Sequence, residues 1–478
     1  MSEPSRCESY VQFHHQGKFL VACDATDSSN ADNGPSQSGL KYECLATRFG
    51  LLLVATGREL AILNIKKLSA RFDGEGMRRL DAKGGEYEEA RVELGEEILG
   101  VGLSSSEEYL CVKFKDSVHV YGFAALFHAK KNGITPTAKM TVKTSASGDK
   151  ALFEWSKCMD SDTLLVFEGR NFHVFDVKEG KSICSPCGHE VHSMDWSPVA
   201  QTKEAVILGT SKGYVFVPSA KGNMNSIQEV SLFEDEDRDV RSICHINWFA
   251  GGHFCVSYVE KIDEDVMPSV ALCKVVASNS QPHLSLVKDL EDEVCSGDAE
   301  LASPVYTTQW VGESSCLLVS SSVSSDIHVI RVDTAEDCEN EFVIEGDDTE
   351  RISLFHDGGG DEGPFPRGLA VSYHFNGAVS EAGDSSKAGP CPLVLAYSTG
   401  NMVQATSFYD KFAKSMTSPP VVTTVREQCE AVPEPALESA PSPVPAEPKK
   451  VASAGFAALA PAPAPIFKTA APAPAPVF

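Results

Sequence analysis

No run of about 18 apolar residues, the length a membrane-spanning helix requires, occurs in the 478-residue sequence. Met1-Ser-Glu-Pro-Ser-Arg is followed by no apolar stretch either, so neither secretion nor membrane insertion is expected. Basic charge is short as well: 41 lysines and arginines stand against 67 aspartates and glutamates, a net charge of −26. Such a field repels phosphate backbones and anionic bilayers, which argues against direct nucleic-acid binding and for a basic protein partner. Missing too are a glycine-rich phosphate loop, paired carboxylates and a Ser/His/Asp set on a rigid scaffold. No enzyme and no cofactor is therefore expected.

Cysteine, by contrast, is plentiful at 15 residues. The cysteines sit inside apolar, strand-like runs such as Tyr109-Leu-Cys-Val-Lys-Phe and His253-Phe-Cys-Val-Ser-Tyr. There a free thiol behaves as a small hydrophobe, so they read as reduced core residues of a nucleocytoplasmic protein.

Proline divides the chain. Residues 417–478 hold 14 of the 27 prolines, with only 4 basic and 5 acidic residues. Repeated Ala-Pro pairs favour polyproline II over a packed core, so 417–478 is expected to be an extended, disordered Pro/Ala-rich tail. Residues 1–416 carry essentially all of the charge and form the expected folded domain.

Within 1–416 an apolar strand, a short turn and a second alternating strand recur seven times. The pairs begin at Leu51 and Glu59, Tyr109 and Ser117, Thr163 and Asn171, Ala205 and Gly213, His253 and Ser269, Cys316 and Asp326, and Pro392 and Asn401. Most are preceded by another short alternating strand, as in Val191-His-Ser-Met-Asp-Trp, Val240-Arg-Ser-Ile-Cys-His-Ile-Asn-Trp and Val305-Tyr-Thr-Thr-Gln-Trp. A recurring multi-strand unit of this kind predicts an all-β, seven-bladed, WD40-like β-propeller. At about 60 residues, each unit exceeds the usual 40 to 45 of compact propeller repeats. The excess falls in polar insertions at 24–40, 70–97, 129–149, 277–303, 333–366 and 374–390.

Three patterns suggest chemistry, and each has a plainer reading. Gly209-Thr-Ser211-Lys-Gly213 spells a hydrolase nucleophile elbow, but a strand rather than a helix follows it, so it reads as a hairpin turn. Cys184, Cys187, His189 and His192 offer zinc ligands within nine residues. The same Gly188-His189 before Trp196-Ser-Pro198 resembles the approach to the first strand of a WD-type blade. His119, His173 and His328 occupy equivalent places in three hairpins, too far apart around a ring to share a metal; they read as packing or hydrogen-bonding residues. No metal site is expected.

Acidic runs are the strongest surface signal: Glu234 to Asp239, Asp263 to Asp265, Glu291 to Glu293, and Glu345 to Glu362. The last also contains Ile352-Ser-Leu354-Phe355 beside Gly358-Gly-Gly360. An apolar anchor flanked by charge gives a loop both affinity and steering toward a basic partner. In the tail, Phe456, Phe467 and Phe478 recur every eleven residues between Ala-Pro spacers, an arrangement suited to many weak contacts or to a plain linker.

Residues 44–68, from Cys44-Leu-Ala-Thr-Arg-Phe-Gly-Leu-Leu-Leu-Val to Asn64-Ile-Lys-Lys-Leu68, resemble the first blade of the CAN-type nucleoporins, the large FG-repeat proteins of the cytoplasmic filaments of the nuclear pore. Phe365-Pro-Arg-Gly-Leu-Ala-Val-Ser-Tyr373 and Pro392-Leu-Val-Leu-Ala-Tyr-Ser-Thr-Gly400 are similar to that family's last blade. The resemblance implies a seven-bladed propeller at the cytoplasmic face of the nuclear pore complex, among other nucleoporins, that binds the DEAD-box RNA helicase of mRNA export. An acidic and apolar loop before the last blade would make the contact and compete with RNA. By position that loop is 345–364, with Leu354, Phe355, Asp357, Asp361 and Glu362 as the contact residues. The tail lacks the family's Phe-Gly dipeptides; Phe456, Phe467 and Phe478 are the candidates for binding nuclear transport receptors. A WD-type propeller serving as a general protein-assembly scaffold is the alternative from the same residues.

Overall fold

A computed structural model describes residues 11–21, 42–70, 79–81, 86–128, 134–141, 152–157, 162–168, 171–186, 191–197, 206–210, 214–218, 227–232, 241–250, 252–262, 265–276, 283–290, 306–322, 324–332, 343–344, 351–354, 365–373, 392–398 and 402–410. The chain divides into two compact units, Met1–Ala431 and Val432–Phe478. The second, and with it the expected tail and its three phenylalanines, lies outside the described residues.

Each expected hairpin is an antiparallel pair, and each belongs to its own sheet. Among the described residues the strands form seven sheets, all but the last two four-stranded. In chain order their first strands are Glu43–Ala46, Gly100–Leu103, Leu152–Trp155, Val191–Trp196, Arg241–Ala250, Tyr306–Val311 and Pro366–Ser372. We call these the inner strands and number the sheets from them. The last sheet is completed by the N-terminal strand Val11–Leu20, which pairs antiparallel with Met402–Asp410.

Packing between sheets follows from side-chain alternation along a strand. In Leu51–Thr56, Leu52 and Val54 join a cluster with Leu395 and Tyr397 of the seventh sheet. Leu51, Leu53 and Ala55 join one with Leu110 and Val112 of the second. Every residue of that strand is buried, which explains its unbroken apolar run. Five further clusters link the second sheet to the third, the third to the fourth, the fourth to the fifth, the fifth to the sixth and the sixth to the seventh. Successive seams thus return to the first sheet, the arrangement of a β-propeller. Full burial of one leucine at such a seam contributes roughly 1.5–3 kcal/mol.

The four tryptophans lie at or within two residues of the ends of the inner strands of sheets three to six. Trp155 Nε1 donates to the Gly102 carbonyl at 2.9 Å and Trp196 Nε1 to the Glu154 carbonyl at 3.2 Å, each reaching the inner strand of the preceding sheet. Of the seven described cysteines five are buried, Cys44 is half-buried and Cys184 is exposed. Burial pushes the Cys244 thiol up to about 11, so it stays protonated as a core residue.

Four of the polar insertions prove to carry strands. Arg79–Asp81 and Glu88–Glu93 lie in 70–97, Ala138–Thr141 in 129–149, His283–Asp289 in 277–303, and Val343–Ile344 with Arg351–Ser353 in 333–366. These are outer strands, paired along one edge, and apart from Val343–Ile344 they mix polar with apolar residues, as an edge position permits. The insertions at 24–40 and 374–390 lie outside the described residues.

Candidate docking face

The acidic loop before the last sheet springs from a split outer strand. Val343–Ile344 pairs with Val332 and Arg331, and Arg351–Ser353 pairs with His328, Ile327 and Asp326, so the sixth sheet ends in two short pieces. The base is held at several points. The Leu354 N–H donates to the Ser325 carbonyl at 2.9 Å, and Ser353 Oγ donates to Asp326 Oδ1 at 2.7 Å. From the neighbouring sheet Gln404 Nε2 donates to the Ser353 carbonyl at 3.0 Å. His328, opposite Arg351, is buried; burial and the Arg351 guanidinium push it down to about 4 against the pull of Asp326. Its imidazole is neutral at physiological pH, which removes one positive charge from beneath the loop.

Leu354 corrects the expectation from sequence. It is 6% exposed and packs with Ile352, Val329, Leu369 and Val394 in the seam between the sixth and seventh sheets. Alternation places Ile352 and Leu354 on one face and Ser353 on the other, so both apolar side chains turn inward and anchor the loop. Phe355, Asp357, Asp361 and Glu362 lie outside the described residues.

The remaining candidates disperse. Leu208 pairs with Phe216 and Gly209 with Val215, so Ser211, outside the described residues, falls between two paired strands. A Cβ on Gly209 would stand 2.5 Å from Ile243 Cγ2, so the glycine serves close packing of the fourth sheet on the fifth. Cys184 lies on the outer strand of the third sheet and His192 on the inner strand of the fourth; Cys187 and His189 lie outside the described residues. Among the described residues no group of three or more His, Cys, Asp or Glu could hold a metal. His119, His173 and His328 each stand opposite a valine, Val112, Val166 and Val319, in three different sheets. His119 bonds Ser117 and Tyr121, and His173 lies 3.5 Å from Glu168.

Two buried acids went unnoticed in the sequence. Asp195 Oδ2 accepts from Lys157 Nζ at 2.5 Å and from the Trp248 N–H at 2.6 Å, while Oδ1 accepts from the Trp196 N–H at 2.8 Å. Lys157 Nζ also donates to the Trp248 carbonyl at 2.6 Å, so one ammonium ties sheets three, four and five. Glu43, on the first inner strand, packs against Gly368 of the seventh sheet, where a Cβ would come within 2.6 Å of Glu43 Cγ. Burial pushes its carboxyl up to about 8, opposed by the Tyr397 backbone. The Asp-Trp dipeptide at the end of a strand was a visible signal for the first; nothing local marks the second.

A family model for the NUP159/214 β-propeller matches residues 43–398, from the first inner strand through the second strand of the last sheet. The chain belongs to the NUP159/214 β-propeller family. Its fold is similar to the crystal structure of the N-terminal domain of Nup159, with TM-score 0.57 and 13% identity over 85% of this chain and 98% of that one. It is also similar to a Saccharomyces cerevisiae assembly in which Dbp5 is bound to Nup159, Gle1, IP6 and ADP, with TM-score 0.59 and 12% identity over 85% of this chain and 97% of that one. No curated protein matches the chain in sequence. As a member of this family the chain is a nucleoporin β-propeller.

Proposed function

We propose that the seven sheets are the seven blades of one ring and that the chain acts, without catalysis, at the cytoplasmic face of the nuclear pore complex. There it docks the DEAD-box RNA helicase of mRNA export through the 345–364 loop and weakens the helicase's hold on RNA. The observation that carries this reading is where the acidic segments leave the sheets. Strands alternate in direction, so the connections between sheets and the turns between second and third strands emerge at one end. From the connection entering the fifth sheet to that entering the seventh, segments 233–240, 263–264, 291–305, 322–325 and 355–364 carry 15 acidic residues and one basic. The same end of sheets one to four, at 22–41, 57–58, 94–99, 114–116, 142–151, 169–170, 187–190 and 211–213, carries 8 acidic and 7 basic.

A one-sided field of that kind steers a basic surface to one sector and competes with phosphate for it. Nup159 itself is found bound to Dbp5, which supports a helicase as the partner. With Ile352 and Leu354 committed to the core, Phe355 is the apolar contact and Asp357, Asp361 and Glu362 are the acidic ones. Phe456, Phe467 and Phe478 of the tail serve transport receptors in this reading. Binding of a purified DEAD-box helicase to the full chain tests it. Phe355→Glu with Asp361→Arg should weaken binding by at least about tenfold, a change of 1.4 kcal/mol, and raised salt should weaken it further. Unaltered affinity in the double variant would refute the site, and a diffuse rather than nuclear-rim distribution in cells would favour a general assembly scaffold.

A further inference from the structure

The ring is joined covalently everywhere except inside its last sheet, where the N-terminal strand Val11–Leu20 meets Met402–Asp410. That pairing is interrupted by a register shift between His15 and Gly17. In the other sheets the outer strand is the end of the sheet or is split; here a fifth strand lies beyond it. Arg79–Asp81, which belongs to the long insertion of the first sheet, pairs in parallel with the N-terminal strand, Lys18 with Arg79, Phe19 with Leu80 and Leu20 with Asp81. Arg79–Asp81, which in the chain falls between the third and fourth strands of the first sheet, is thus a strand of the last.

The two feet of the insertion stand on the seam between those sheets. The chain leaves through the helix Ile65–Ser69, whose Ile65 and Leu68 are buried with Leu393, Leu395 and Tyr397 of the seventh sheet. It returns at Tyr87, buried in the same cluster, whose carbonyl accepts the Asn64 N–H at 2.8 Å. Val21, the residue after the N-terminal strand, belongs to that cluster too. Both ends of the insertion and the end of the closing strand are thus fixed in one apolar body, and the paired segment spans between them.

We propose that the Arg79–Asp81 strand is a strap that locks the ring shut. By covering the outer edge of Lys18–Leu20 it converts a terminal strand held along one edge into one held along both. It does so on the side of the His15–Gly17 irregularity where the pairing would otherwise fray toward Leu20. Opening of the ring then requires the strap to lift first. A strap lifted by modification or by a partner frees the N-terminal strand for exchange with a second copy of the chain, the usual route to a swapped dimer.

Backbone hydrogen exchange on the full chain tests this. Leu80→Pro removes a strap N–H and distorts its strand, and should accelerate exchange in 11–20 and 402–410 by at least about tenfold while the inner strands of sheets two to six are unchanged. Gly84→Pro, in the same insertion but outside the pairing, should leave both strands as in the wild type. Arg79→Gly with Leu80→Gly keeps every backbone N–H and should give an intermediate acceleration, which serves if the proline variant does not fold. A swapped dimer on size-exclusion chromatography with light scattering would be a further expected result for Leu80→Pro. Unaltered exchange in 11–20 for the glycine pair, or equal acceleration by Gly84→Pro, would overturn the strap.

Discussion

Two carboxyl groups lie equally deep in the ring, Asp195 at 3% and Glu43 at 2% exposure, and their surroundings treat them in opposite ways. Asp195 sits where three sheets converge and receives an ammonium and two backbone N–H groups. Glu43 sits where the last sheet meets the first and is pressed against Gly368, with its pKa pushed up to about 8. Burial alone favours the neutral acid; convergent donors are what keep a buried carboxyl charged. The charged staple strengthens the middle of the ring, whereas the closing seam tolerates its acid by protonating it.

Four measurements can break or sharpen that contrast. The largest expected effect is Asp195→Ala, which strands the Lys157 ammonium and two N–H groups and should cost about 3–5 kcal/mol in urea unfolding. A loss under about 1 kcal/mol would show the staple to be redundant. Next, Gly368→Ala should cost about 1–3 kcal/mol through overpacking on Glu43, and Glu43→Ala in the same chain should recover most of it. Additive losses would mean that the two residues do not share the crowding.

The third is a pH dependence. Glu43 has an ordinary value of 4.5 unfolded and about 8 folded. Its contribution to stability is therefore fully present below about pH 4.5 and is lost as pH rises to about 8, because the unfolded state ionises first. The slope is at most about 1.4 kcal/mol per pH unit. Glu43→Gln should abolish that part of the decline, seen as a urea midpoint that falls less between pH 5 and pH 8; parallel curves for the two proteins would place the ionised form in the seam. The smallest is Lys157→Met, expected to cost about 1 kcal/mol at neutral pH since the two N–H groups remain on Asp195.

Much of the ring was legible because its repeating part is apolar. The runs at Leu51, Tyr109 and Cys316 declare hairpins whose two faces are both buried, and the tryptophans near the strand ends in sheets four to six mark inner strands. Outer strands such as His283–Asp289 hid in polar insertions, since an edge strand needs no apolar face. The N-terminal strand was missed for a different reason: Val11–Leu20 is a strand by virtue of partners at Met402–Asp410 and Arg79–Asp81, which no local pattern announces. At the candidate site the charge that surrounds Ile352 and Leu354 in the sequence disguises a buried apolar pair. Their alternation with Ser353 carried the contrary signal, and the packing on Leu369 that makes it decisive comes from a different sheet.

The two-faced strands also say how sequence change should propagate through this protein. Leu52 and Leu53 are neighbours in the chain yet answer to different company, Tyr397 for one and Tyr121 for the other. Substitutions at adjacent positions should therefore act independently, while those at Leu52 and Tyr397, more than three hundred residues apart in one cluster, should be coupled.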